Sequence, residues 1–195
     1  MKKSSGPGCL FWLIIIAGLV MLATICAQQT GLWQAIIEHK PIHISAPSSA
    51  TTVVGKPSIS AATITRVLAA AHSTAQGTGA ALYADGVTYG IDPAYALAFF
   101  QHESEFGTTG VARVTKSLGN IRCTPGYACI DGFRAYATWQ AGYVDWYRLI
   151  RLLYVNQWHL TTVEQIIPVY APSGDHNNVS AYINAVEQAV NQWRG

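Results

Sequence analysis

Residues 92–107 read DPAYALAFFQHESEFG, a segment that punctuates itself as a helix and sets a carboxylate on its apolar side. Asp92 offers an N-cap oxygen, Pro93 suits the first turn, and Gly107 can take the left-handed conformation that stops a helix. At about 100° per residue, Ala96, Phe99, Phe100 and Glu103 share one face, whereas Glu105 has Gln101 and His102 one turn behind it. Glu103 is therefore expected to point toward the core and Glu105 toward water. Desolvation by the two Phe rings and the negative end of the helix dipole both raise the pKa of Glu103. A carboxyl kept protonated near neutrality can serve as a general acid. The structural alternative is a helix-end Glu whose aliphatic stem merely covers the Phe pair.

The chain has 195 residues, 50% hydrophobic and 11% charged, which suits one globular domain plus an appendage. The appendage is legible. Residues 10–27 form an uninterrupted apolar run behind Lys2 and Lys3, long enough to cross a bilayer and longer than most signal-peptide cores. Residues 1–9 are then cytoplasmic and the remainder is exported. Cleavage after Cys26 or Ala27 is the alternative, but Ile25 fits badly before a cleavage site, and equally badly before a lipidated Cys26, so an uncleaved anchor is favoured. Residues 28–58 read as a linker: a short amphipathic stub at 31–39, then a disordered Pro-, Ser-, Thr- and Ala-rich tether at 41–57. The domain spans 59–195, with ordered structure beginning near Ser60.

Cys9 and Cys26 fall in the apolar N-terminal segment and read as inert thiols. Cys123 and Cys129 flank a turn-rich stretch, and an oxidising location would let them close a small disulfide loop. No ligands group around them, and His39 and His43 lie in the linker, so no metal or other cofactor is expected. The net charge of +2, with no basic run interleaved with aromatics, argues against nucleic acid. A mildly basic exported domain would tolerate an anionic wall polymer.

A helix capped by Ser60 is expected through Ile64, Val67, Leu68 and Ala71, ending at Gly77 and Gly79. A second, at 80–88, is closed by Gly90. Residues 106–133 break the period into loops or a small hairpin. From Trp139 the helical period returns through Tyr143, Trp146, Ile150 and Leu153, an aromatic stripe that reads as core more readily than as a sugar-stacking face. A short helix follows, with Thr161 and Glu164 as its capping box. The last helix, 179–193, buries Val179, Tyr182, Ile183, Val186 and Val190. The fold class is mainly α, a helical domain with one shortened irregular or β lobe.

Several ordered blocks resemble the glucosaminidase domain of bacterial cell-wall hydrolases, glycoside hydrolase family 73, and more distantly lytic transglycosylases and goose-type lysozymes. Residues 94–107 resemble the family's Ala-rich helix ending in Glu-Ser-x-aromatic-Gly. Ser117-Leu118-Gly119-Asn120-Ile121 is similar to its Asn-Leu-Phe-Gly-Ile region, with Gly and Asn reordered. Phe133-Arg134-Ala135-Tyr136, followed by Asp145-Trp146-Tyr147-Arg148-Leu149-Ile150, resembles the Phe-Arg-x-Tyr block and its helix. Val169-Tyr170-Ala171-Pro172 is similar to the late Tyr-Ala motif. The blocks span residues 60–195.

The resemblance implies a lysozyme-like helical fold, a long glycan groove, and Glu103 as the acid that protonates the leaving glycosidic oxygen. Ser104 supports the turn, since no His and Asp pair accompanies it. The family's second carboxylate often comes from a longer β lobe, and here the corresponding stretch contains only Asp131, as nucleophile or water-holder, or else simply as the turn residue before Gly132. Failing Asp131, the substrate's own 2-acetamido group would attack, with Tyr170 and Asn120 orienting it, unless Tyr170 only anchors its turn. Phe106, Tyr136 and Asp175 are further candidates to line the groove. Asp175 and Asn177 have capping as their alternative role, and Asn178 reads as a cap. The expected function is a membrane-anchored, extracytoplasmic peptidoglycan hydrolase cutting β-1,4 glycan bonds as an endo-β-N-acetylglucosaminidase. A lytic transglycosylase and a non-catalytic wall-binding module are the alternatives.

Overall fold

The structure, a computed structural model, describes residues 51–195. The anchor, the first cysteines, the two linker histidines and most of the tether lie outside the described residues. Within them the chain is mainly helical, as expected, and no helix there is long and apolar enough to cross a membrane.

Order begins earlier than Ser60. Val53 is 1% exposed, takes a hydrogen bond from Asp92 N–H, and donates its own N–H to Thr161, each at 2.9 Å. Thr52 bridges Thr162 and Val54 bridges Ile91. The Pro- and Ser-rich composition hid one apolar pair, Val53-Val54, that straps the start of the central helix to a later loop.

Helix α1 (Ala61–Ala70) starts at Ser60, whose Oγ accepts the Thr63 N–H at 3.0 Å. It stops at Ala70 rather than at the glycines. Beyond it His72 adopts φ 50°, and Ser73 turns its hydroxyl onto the Phe106 carbonyl at 2.6 Å. Helix α2 (Gly79–Tyr89) ends at Gly90 in the left-handed region, as expected.

Helix α3 (Pro93–Ser104) is capped by the Asp92 carboxylate, which accepts the Ala94 N–H at 3.0 Å. Every residue from Pro93 to Phe100 is buried, so α3 is the central helix of the domain rather than one with a single apolar stripe. Phe99 meets Trp146, Tyr170 and Tyr182, and Phe100 meets Tyr143 and Trp146. The helix is stopped by Glu105, not Gly107. Glu105, Phe106 and Gly107 take positive φ in succession, 48°, 57° and 79°. Two of these are non-glycine residues in a conformation that costs each about 1 kcal/mol.

The expected irregular lobe follows. It holds a single turn of helix, α4 (Ala112–Thr115), and a hairpin of β1 (Cys129–Ile130) and β2 (Phe133–Arg134), with Ile130 opposite Phe133. Asp131 and Gly132 form its two-residue turn with φ 49° and 82°, the mirror-image geometry that matches strand twist. Cys123 and Cys129 form the expected disulfide, their Cα atoms 5.8 Å apart.

Helix α5 (Trp139–Arg148) buries Tyr143, Trp146 and Tyr147, so the aromatic stripe is core. It widens into a π-helical stretch, Leu149–Gln157. Helix α6 (Val163–Tyr170) has its capping box one residue later than expected, from Thr162 and Gln165. The Gln165 side chain accepts from the N–H groups of both Thr161 and Thr162. Helix α7 (Val179–Arg194) is capped by Asn178, which accepts the Ala181 N–H at 3.0 Å. It buries Tyr182, Val186 and Val190 with Ala189 added, while Val179 and Ile183 are only partly covered. Arg194 returns to the start of α3, pairing with Asp92 at 3.0 Å.

Candidate functional site

The last turn of α3 leaves carbonyls without helical partners. One of them is satisfied by the site itself: Asn120 Nδ2 donates to the Glu103 carbonyl at 2.7 Å. Asn120 does this from a left-handed backbone, φ 46°, which Asn tolerates better than most residues. Just before it, Gly119 is required by space. A Cβ there would come within 2.5 Å of Trp146 and 2.9 Å of the Tyr170 hydroxyl. The Ser117–Ile121 turn is thereby pressed against the aromatic core beneath the end of α3.

The Glu103 side chain is largely buried. Tyr182, reaching across from α7, donates its hydroxyl to Glu103 Oε1 at 2.7 Å. Burial is the dominant influence and lifts the Glu103 pKa from 4.5 to about 7, against the opposing pull of Tyr182, Asn120 and Arg122. Loss of the Glu103 proton is thus set near neutrality. The Tyr182 ring is in turn stacked on His102, centroids 3.7 Å apart.

Glu103 opens into a groove of about 430 Å³. Of the residues singled out in the sequence, Asn120, Tyr170 and Asp175 line it, and Arg122, Phe133 and Arg134 come from the hairpin lobe. The opposite wall is Leu149, Leu153 and Tyr154 of the π-helical stretch, which fits the frequent occurrence of π-helical turns at functional sites. The carboxylates among the lining residues are Glu103 and Asp175, and Asp175 is paired with Arg122 at 3.3 Å near the rim.

Other candidates occupy other places. Asp131 stands exposed at the hairpin tip, in its turn role, and does not line the groove. Phe106 is buried on the other side of the α3 terminus, where it faces a separate and larger cavity. Tyr136 binds Asp145 at 2.5 Å. Asp145 also takes Arg134 at 2.7 Å and Tyr127 at 3.0 Å, so the Phe-Arg-x-Tyr block clamps the lobe to α5. Tyr170 has its hydroxyl committed to the frame, donating to the Gly119 carbonyl and accepting from Trp146 Nε1. Ser104 likewise ties the turn, donating to the Leu118 carbonyl and accepting from Gly107 N–H.

Sequence reasoning overlooked Tyr182 as a site residue, having assigned it to the buried face of the last helix. A usable signal existed, because a buried tyrosine hydroxyl requires a partner. Arg122 and the π-helical wall carried no comparable signal. Among the described residues no group of three His, Cys, Asp or Glu side chains is arranged to hold a metal ion. No protein-family profile, curated protein or solved structure matches the chain.

Proposed function

We propose that this chain cleaves β-1,4 glycosidic bonds of peptidoglycan, acting as an N-acetylglucosaminidase with Glu103 as its general acid. The observation that carries the reading is Glu103 itself: a largely buried carboxyl with its pKa near 7, hydrogen-bonded by Tyr182 and opening into a groove. A proton held there at neutral pH suits transfer to a departing sugar oxygen. The resemblance of the ordered blocks to cell-wall glucosaminidases supplies the substrate class.

The groove supports a mechanism with one carboxylate from the protein. Asp175 is held by Arg122, and Asp131 does not line the groove. The 2-acetamido oxygen of the substrate would attack the anomeric carbon while Glu103 protonates the leaving oxygen, so that the glycosidic C–O bond breaks and an oxazolinium ion forms. Water then opens that ring, with ionised Glu103 taking the proton, which restores both the acetamide and the acid. Tyr182 on Oε1 leaves Oε2 to carry the proton. Asn120 Oδ1, buried without a partner among the described residues, is the acceptor nearest in kind to what the acetamide N–H needs.

The same single acid also serves a lytic transglycosylase, in which the sugar's own 6-hydroxyl replaces water. Mass spectrometry of fragments released from purified sacculi tests both readings. Reducing-end GlcNAc is the expected product, whereas 1,6-anhydro-MurNAc ends would replace the hydrolase by the transglycosylase. Binding without any release would overturn both and leave a wall-binding module. The disulfide fits an exported location, and the apolar run at 10–27 would anchor the domain on the outer face of the membrane.

A further inference from the structure

A second groove runs along the other side of the α3 terminus. Between α3 and α7 it encloses about 700 Å³. It continues past Ala71, Gln101, Phe106 and Gln192 into a stretch of about 520 Å³ beside α1. Its floor is made of small side chains, Ala98, Ala185 and Ala189 among them. Its rim carries three amides, Gln101, Gln188 and Gln192, none with a side-chain partner among the described residues. Its charges are separated: Glu105 and the negative end of the α3 dipole lie toward the α3 terminus, and Arg66 lies on the α1 side. Neither charged side chain makes an ion pair among the described residues. Glu105 is also the residue held in the left-handed cap position that glycine would occupy without strain.

We propose that this groove binds a short extended peptide that carries both an amino group and a carboxylate, the amino group at Glu105 and the carboxylate at Arg66. Glutamine amides can donate to and accept from a peptide backbone at once, and the small alanine side chains of the floor leave room for the side chains of a guest. Resting on the reading of the chain as a peptidoglycan enzyme, the occupant is the stem peptide of that polymer. The groove would then hold peptide-bearing strands while Glu103, on the opposite side of the helix end, acts on the sugar.

The test is NMR titration of the isotope-labelled full-length chain in micelles with acetyl-Ala-Glu-Lys-Ala, whose free amino group is that of its lysine side chain. Saturable shifts of the Gln101, Gln188 and Gln192 side-chain amides at about millimolar peptide are expected, with binding weakened about fivefold or more by E105G and by R66A. E103Q should bind as wild type does. E105G removes a strained residue, so its melting temperature should hold or rise, which separates lost binding from lost folding. Absence of saturable shifts up to about 10 mM peptide, or wild-type binding by E105G, would overturn the proposal. Cleavage provides a second readout: E105G should digest peptide-free glycan at the wild-type rate but peptide-bearing sacculi more slowly, and equal rates on both would again overturn it. A wild-type chain that binds the peptide yet cuts no glycan would support the groove and sink only the enzyme assignment.

Discussion

Glu103 and Glu105 stand two residues apart at one helix end and meet opposite conditions. Glu103 keeps an ordinary helical backbone and a costly environment: it is half-buried, and desolvation makes it hold its proton to about pH 7. Glu105 is exposed in an ordinary environment and has a costly backbone, φ 48° in the left-handed region. Two identical side chains thus carry their free-energy penalty in different places, one electrostatic and one conformational. Environment alone sets the two carboxyls apart: one is covered and holds its proton, the other faces water.

The sharpest way to break this contrast is Glu103→Gln, which keeps the shape and the Tyr182 hydrogen bond but has no proton to give. Release of soluble fragments from sacculi should fall by about 10²–10⁴-fold. In the wild type the rate should fall as pH rises through about 7, because the acid form is lost there. A variant within tenfold of wild type, or a wild-type rate flat from about pH 6 to 8, would remove Glu103 from the chemistry.

The lobe that brings Arg122 and Phe133 to the groove depends on a different buried charge. Asp145 accepts from Arg134, Tyr136 and Tyr127, and the Arg134 and Asp145 side chains are only 11% and 10% exposed. Asp145→Ala leaves a buried guanidinium unpaired and should cost about 3–5 kcal/mol in denaturant unfolding. A loss below about 1 kcal/mol would mean that the clamp is wet and weak.

Stability against pH offers a third test, with a defined sign. A carboxyl raised from 4.5 to about 7 costs the folded state stability wherever the unfolded chain would ionise it. Below about pH 4 both states are protonated and Glu103 contributes nothing. Between 4.5 and 7 the unfolded chain ionises first, so stability declines, and the full penalty of about 3 kcal/mol is present above 7. Glu103→Gln should therefore melt like wild type near pH 4 and higher than wild type at pH 8. Parallel melting curves across that range would show that Glu103 titrates normally.

These tests rest on features of unequal legibility in the sequence. Ser60, Asp92 and Asn178 announced their helices because capping is local: one side chain, two or three residues, one hydrogen bond. Glu103 was legible for a similar reason, since periodicity alone set it beside the Phe pair. Tyr182 was not, as its partner is 79 residues away and helical period marked only that it was buried. The Asp145 clamp was visible as a recurring block without its physical meaning, because nothing local says which residues of the block touch. The π-helical wall was invisible, since Leu149, Leu153 and Tyr154 fit an α-helical period equally well. Gly107 was read as the stop because glycine takes left-handed geometry most easily, yet the chain makes that turn two residues earlier and at greater expense.

Tyr182→Phe probes the electrostatic side of the contrast more finely. The hydroxyl donates to Glu103 and holds its pKa down against burial. Removing it should move the upper limb of the activity profile to higher pH with a modest change in rate, while the ring stays stacked on His102. A profile that does not move would show that Tyr182 is packing alone.

The smallest effect belongs to Glu105→Gly. Relief of about 1 kcal/mol of left-handed strain, less the extra chain entropy of glycine, predicts a gain of about 0.5 kcal/mol, and loss of a negative charge from the helix C-terminus adds to it. The melting temperature should rise by about 2 °C. A drop instead would show that the Glu105 side chain stabilises the fold, and the strain would need no function to explain it. A rise would leave a residue that weakens its own helix end and contributes nothing to packing, which is the pattern expected when a side chain serves a ligand.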